Sequence, residues 1–176
     1  VVPLDQNNRI LVHQGLNRIR AGATRPGILA LLEISGRELS KLSATDLGFT
    51  VAPRLNAAGR LADMSKGIAC LLSPDRESAR ALAQELDQLN RERKTIESEM
   101  REQALQQLNN LNLSKNLPVG LCLYDDTWHQ GVIGILASRV KEIHHRPVIA
   151  FAAVNAEEMK GSARSVTGVH IRDVLD

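Results

Sequence analysis

Aromatic side chains make up only 2% of this 176-residue chain, and Phe49, Tyr124, Trp128 and Phe151 are the complete set. Cores must therefore be built from Leu, Ile, Val and Ala, and no aromatic platform exists on which several bases could stack. The two cysteines, Cys70 and Cys122, lie far apart in apolar surroundings with no ligand spacing. That excludes a cysteine metal site and a disulfide scaffold, and suits a reducing cytoplasm. No apolar run approaches the roughly 20 residues that span a bilayer, and no signal-peptide pattern is present. A soluble protein without a membrane partner is expected. The net charge of +2 is too small to argue for a polyanionic partner by itself.

The distribution of charge says slightly more. Residues 1 to 74 hold nine Lys/Arg against five Asp/Glu, residues 75 to 110 hold six against eight, and residues 111 to 176 hold seven of each. A modest positive lobe beside a neutral one is compatible with a strand-binding cleft, although a solvated surface of mixed sign has the same balance.

Periodicity predicts an α/β chain. Residues 5 to 22 read as an amphipathic helix with Ile10, Leu11, Leu16 and Ile19 on or near one face. A second helix follows Pro26 and stops at Ser35-Gly36, a short third one opens over Ser43 to Asp46, and a further helix is expected from Gly59 to Leu72. Residues 75 to 110 carry no Gly or Pro and predict one helix roughly 50 Å long. Its apolar seam is interrupted at Arg93 and Gln103, which favours a connector between lobes over a coiled-coil dimer. After Asn116 the pattern becomes strand, helix, strand, with Val119 to Tyr124 and Val148 to Phe151 flanking a helix over Gln130 to His144. The expected organisation is a helical lobe over 1–74, a connector over 75–110 and a βαβ-containing lobe over 111–176.

Two segments carry the chemistry. PRLNAAGR, residues 53 to 60, places Arg54, Asn56 and Arg60 at what reads as a loop-to-helix junction, where guanidinium forks suit phosphate oxygens. GSARS, residues 161 to 165, follows a β-rich stretch, and the period of two puts Ser162 and Arg164 on one face of a strand. A hydroxyl beside a guanidinium is a phosphate-sized site. The solvated reading of each, a helix start or strand edge with arginines in water, stands beside the functional one. His129 precedes Gly131 and Gly134 at a helix start, where it can serve as cap or as phosphate donor. Ser138 and Arg139, farther into that helix, suit packing or the cleft.

Taken with VVPLDQNNRILVHQGLNRIR, PRLNAAGRL, WHQGVIGILASR, HRPVIAF and GSARSVTGVHIRDVL, the chain resembles, end to end, the RecJ single-stranded-DNA exonucleases of the DHH phosphoesterase superfamily. The resemblance implies a metal-dependent hydrolase that removes nucleotides from the 5′ end of single-stranded DNA in repair and recombination. It implies two divalent ions, Mn or Mg, whose ligands lie ahead of Val1, so that this chain holds the strand without cleaving it. In the family the GS-x-R element is associated with the 5′ phosphate, which carries over to Ser162 and Arg164. Arg54, Asn56 and Arg60 are then assigned to the DNA backbone path near the junction of the lobes, and His129 is kept among the DNA-binding candidates, to donate to a phosphate or help to place a scissile group. A helicase or single-strand-binding protein is a possible partner.

Other features stay outside the chemistry. His144-His145 resembles the superfamily's paired histidines, but Ile143 precedes it and cations at a helix C-terminus are explanation enough. Asp125-Asp126 would point to opposite faces of a strand, which disfavours joint chelation. The opening Val1-Val2-Pro3 and the closing pattern of Ile171, Val174 and Leu175 suggest an internal piece of a longer protein. Two rivals stay open: an oligoribonuclease or cyclic-dinucleotide phosphodiesterase of the same superfamily, which typically carries Gly-Gly-Gly-His where GSARS stands, and a non-catalytic strand-binding module.

Overall fold

The computed structural model describes residues 4–110 and 118–175. The opening Val1-Val2-Pro3 and the expected lobe boundary near residue 111 lie outside them. The chain divides into two compact units, Val1–Glu92 and Arg93–Asp176.

In the described residues the first unit is helical. Helix α1 (Gln6–Arg20) is capped by Asp5, whose carboxylate accepts from the Asn8 amide at 2.8 Å. Helix α2 (Pro26–Ile34) begins with its proline in the first turn. A 3₁₀ turn (Leu39–Lys41) leads to α3 (Ala44–Asp46), which Ser43 and Asp46 close as a reciprocal capping box. A π-helical turn (Leu47–Val51) runs into α4 (Ala52–Leu61), followed by α5 (Ser65–Leu72) and the first part of the long helix α6 (Arg76–Asn110). Leu31, Leu32, Leu42 and Leu86 are fully buried with Cys70 and a set of alanines. Gly27 of α2 lies so close to the Cys70 and Leu71 backbone that no Cβ fits there, so small residues let these helices approach.

Three expectations are corrected here. PRLNAAGR is interior to α4, since Pro53 sits in that helix's first turn. The helix expected from Gly59 to Leu72 breaks at Ala62, where φ is −144° and ψ −128°. Asp63 then takes the Ser65 amide at 2.9 Å and hydroxyl at 2.6 Å and starts α5 afresh. The new start turns Gly67 and Cys70 inward and leaves Met64, Ile68 and Leu72 exposed. On α1, Leu16 and Ile19 pack on the core, whereas Ile10 and Leu11 are exposed.

The second unit is a two-layer α/β arrangement. Strand β1 (Leu121–Asp125) pairs in parallel with β2 (Val148–Ala153), joined through α7 (Ile133–His144), and β2 pairs antiparallel with β3 (Met159–Arg164). The expected βαβ connection is therefore present. Val148, Ala150 and Ala152 of β2 are buried, as are Leu121 and Leu123 of β1, and Leu136, Ala137 and Val140 of α7. Helix α7 starts three residues later than expected, because residues 129 to 132 form a turn in which the Val132 amide bonds the His129 carbonyl at 2.9 Å. It ends at His145, whose φ of 52° is the left-handed C-cap conformation. Ile143, expected to face inward, is exposed. From α6, Met100, Ala104 and Leu108 are buried, and Gln103 accepts from the Trp128 indole at 2.8 Å. A short helix α8 (Ile171–Leu175) ends the described chain.

Four aspartates that organise turns or helix starts, Asp46, Asp63, Asp75 and Asp125, are held below the ordinary carboxylate value of 3.8 by hydroxyl and amide hydrogen bonds from Ser43, Ser65, Ser78 and Thr127. A carboxylate with a depressed folded pKa binds fewer protons folded than unfolded. Its stabilising contribution is therefore complete above the unfolded value and is lost as pH falls through the folded one. Helical signal followed by circular dichroism should accordingly become easier to melt as pH drops below about 4. Melting unchanged down to about pH 2 would contradict this role for the caps.

Candidate nucleic-acid interface

The six residues singled out by the sequence fall into the two units. Arg54, Asn56 and Arg60 lie on α4 in the first; His129, Ser162 and Arg164 lie in the second.

Ser162 and Arg164 do share a face. Register pairs Arg164 with Val148 and Ser162 with Ala150, and because Val148 and Ala150 are buried, both side chains lie on the face of the sheet that α7 covers. Arg164 Nε donates to Ser138 Oγ at 2.8 Å, and Nη1 donates to Ser162 Oγ at 3.1 Å and to the Ala163 carbonyl at 2.7 Å. Ser138 in turn donates to the Gly134 carbonyl at 3.2 Å. Nη2 lies over Gly134, the second residue of α7. A methyl group there would stand 2.9 Å from Nη2 and 3.0 Å from Ser162 Oγ. Gly134 is thus the seat on which the guanidinium rests.

This placement has an electrostatic consequence. A guanidinium held at the first turn of a helix meets the positive end of the helix dipole, which is unfavourable for a cation alone. An anion between them is attracted by both. The Nη2 hydrogens make no hydrogen bond among the described residues, and the Ser162 hydroxyl, having accepted from Nη1, retains a proton to donate. Those are phosphate donors.

His129 adds a donor close in sequence. Its Nδ1 accepts from the Gly131 amide at 3.0 Å. A backbone amide can only donate, so the proton of the neutral ring sits on Nε2. His129 is both cap and available donor, and no hydrogen bond links it to Ser162 or Arg164 among the described residues. Of the cluster's two other members, Gly134 was not singled out as a site residue from the sequence, and Ser138 was left between packing and the cleft. Their spacing of four on one helix face, opposite a strand ending in Ser-x-Arg, was the available signal.

In the first unit Arg54 has a task that the sequence did not disclose. Its Nε and Nη2 both reach Asp87 Oδ1 at 2.8 Å, and Nη1 donates to the Thr50 carbonyl at 2.6 Å. The two side chains are 15% and 11% exposed, so the pair fastens α4 to α6 away from solvent. Arg91 approaches the other Asp87 oxygen at 3.1 Å. Asn56 and Arg60, one turn apart on α4, are exposed.

The acidic pair Asp125-Asp126 sits in a turn at the end of β1. Asp125 Oδ1 takes the Thr127 amide at 3.0 Å and hydroxyl at 2.6 Å, and these bonds hold its carboxyl below the usual range. Among the described residues no group of three or more His, Cys, Asp or Glu converges as a metal site would require. The described residues therefore offer no ligand set for a resident divalent ion.

Comparison with known proteins assigns the fold's lineage. Residues 116–176 match the DHHA1 domain family. The whole chain aligns at 58% identity with the single-stranded-DNA-specific exonuclease RecJ of Escherichia coli K12, over 31% of that protein's length. Along its whole length the chain is similar to RecJ proteins. Two solved RecJ structures share the fold of this chain. One, from Thermus thermophilus in complex with Mg2+, superposes with a TM-score of 0.82 at 36% identity over 99% of this chain and 26% of that one. The other, bound to manganese, gives 0.83 at 36% identity over 99% and 42%. The chain spans about a third of the length of the RecJ relative it matches.

Two substitutions separate support from recognition. Arg54→Ala should lower unfolding free energy by about 3 kcal/mol, the low end for breaking a shielded ion pair because Arg91 still serves Asp87. Urea unfolding checks this, and a loss within the ~0.5 kcal/mol of an ordinary surface change would contradict it. Gly134→Ala should keep or raise helix content, since Ala is favoured over Gly by about 1 kcal/mol in helices, while displacing Arg164 and weakening phosphate binding. Unchanged phosphate affinity in that variant would show that the seat is unimportant.

Proposed function

We propose that this chain is the strand-holding part of a 5′-to-3′ single-stranded-DNA exonuclease, in which Arg164 and Ser162, seated on α7, receive the 5′ phosphate. The observation that carries the reading is the convergence of two positive features, the Arg164 guanidinium and the first turn of α7, with no carboxylate hydrogen-bonded to that guanidinium among the described residues. Asn56 and Arg60 contribute to the backbone path on their unit, with Arg54 fixing the helix that presents them. Contacts of that kind grip phosphates without reading sequence, as an exonuclease indifferent to sequence requires.

Hydrolysis in the whole protein is assigned to divalent ions, Mg2+ or Mn2+, held by residues other than those described. The related RecJ structures solved with each ion support that assignment. The relatives' name, a single-stranded-DNA-specific exonuclease, supports the substrate class. We place the protein in the cytoplasm, in repair and recombination, which accords with two free cysteines. An enzyme restricted to single strands also needs an activity that exposes them, so a helicase or single-strand-binding protein is the partner class that fits.

Fluorescence anisotropy with oligonucleotides bearing a 5′ phosphate or a 5′ hydroxyl tests the end site. The phosphorylated strand should bind this chain more tightly, and Arg164→Ala should remove that preference at a loss of about 1.5–3 kcal/mol, or roughly ten- to a hundredfold. Equal affinity for both ends in the unaltered chain would overturn the assignment and leave a general backbone groove.

A further inference from the structure

A second basic feature lies on the same unit and shares no residue with the Arg164 cluster. Arg93, Lys94, Glu97, Ser98 and Arg101 of α6, together with Arg139 of α7, line a cavity of about 360 Å³. Their spacing puts Arg93, Glu97 and Arg101 in one row of the helix face, with Lys94 and Ser98 beside it. Glu97, only 14% exposed, is bonded by Arg93 and by Arg139 at 3.4 Å, and Arg139 also meets Glu142 at 3.1 Å. The carboxylates therefore hold two guanidiniums in place. Lys94 and Arg101 have no hydrogen bond or ion pair among the described residues, and both are exposed.

Four cations against Glu97 and Glu142 leave an excess of positive charge, although residues 75 to 110 as a whole hold eight acidic side chains against six basic ones. Three of those six cations, Arg93, Lys94 and Arg101, line this one cavity, so the charges on the long helix are segregated. The lining contains no aliphatic or aromatic residue, so it offers no anchor for a peptide side chain. Forked donors and ammonium groups are what a phosphodiester chain uses. Lys94 and Arg101 stand two turns apart, about 10 Å along the axis, which is room for more than one phosphate.

We propose that this face of α6 and α7 is a second nucleic-acid contact, which takes backbone phosphates of a strand regardless of sequence and of how its 5′ end is finished. The inference rests on charge and geometry here and not on the Arg164 assignment.

The test is binding of an oligothymidine of about 16 nucleotides with a 5′ hydroxyl, measured by anisotropy across a salt series on the chain and on its Lys94→Ala/Arg101→Ala variant. The variant should bind about tenfold more weakly at low salt, and the slope of log K against log salt should fall by about 1.4, or ~0.7 for each single-strand phosphate that the variant leaves unneutralised. Circular dichroism should be unchanged, because both side chains are exposed. The advantage of a 5′ phosphate should survive in this variant, whereas loss of that advantage in Arg164→Ala bears only on the end site. Three results would overturn the proposal: unaltered affinity and salt slope in the variant, no binding by the unaltered chain at about 50 mM salt, or an oligoglutamate of equal charge displacing the strand as well as DNA does.

Discussion

The proposed phosphate site depends on the contact of one guanidinium with one helix turn. Arg164 lies over Gly134, anchored by Ser138 and braced by Ser162. Each participant comes from a different constraint. The antiparallel register of β2 and β3 sets which face Arg164 occupies, the parallel β1–β2 pairing requires a crossover, and α7 is that crossover. A side chain at position 134 would close the approach, and Gly134 has none. A cation brought to the positive end of a helix is an arrangement that an anion completes.

The first unit uses the same residue type for a different purpose. Arg54 is as well suited to a phosphate as Arg164, yet it is taken up by Asp87 and the Thr50 carbonyl in a shielded position. Environment separates the two roles. Asp87 offers a fixed carboxylate to one, while the other has only neutral hydroxyls and a carbonyl around it, so its charge stays uncompensated within the described residues. The basic face of α6 combines both patterns, with Arg93 and Arg139 fixed by Glu97 and Lys94 and Arg101 left to solvent.

Much of this was legible in the sequence. The period of two in GSARS gave the shared face of Ser162 and Arg164, and the absence of Gly and Pro bounded the long helix to within a residue of Arg76–Asn110. The strand-helix-strand pattern gave the parallel pair. What was not legible depended on partners remote in the chain. The Arg54–Asp87 pair spans 33 residues, and no local pattern announces it. The break at Ala62 was hidden because Asp63 is as good a cap as it is an ordinary surface residue, and the apolar positions on either side continue one helical period. Gly134 looked like an ordinary helix residue, and Ser138 could serve packing as well as the cleft, until the strand opposite them was in place.

Arg164, seated on Gly134, is proposed as the phosphate contact. That proposal is tested most directly by nuclear magnetic resonance of the nitrogen-15-labelled chain titrated with thymidine 5′-monophosphate, following the Arg164 Nε–H and the Gly134 amide. The account predicts that both signals shift together and saturate with one dissociation constant, and that unphosphorylated thymidine leaves them where they are. If the nucleotide moves other resonances while these two stay fixed, the phosphate is held elsewhere and the account is wrong.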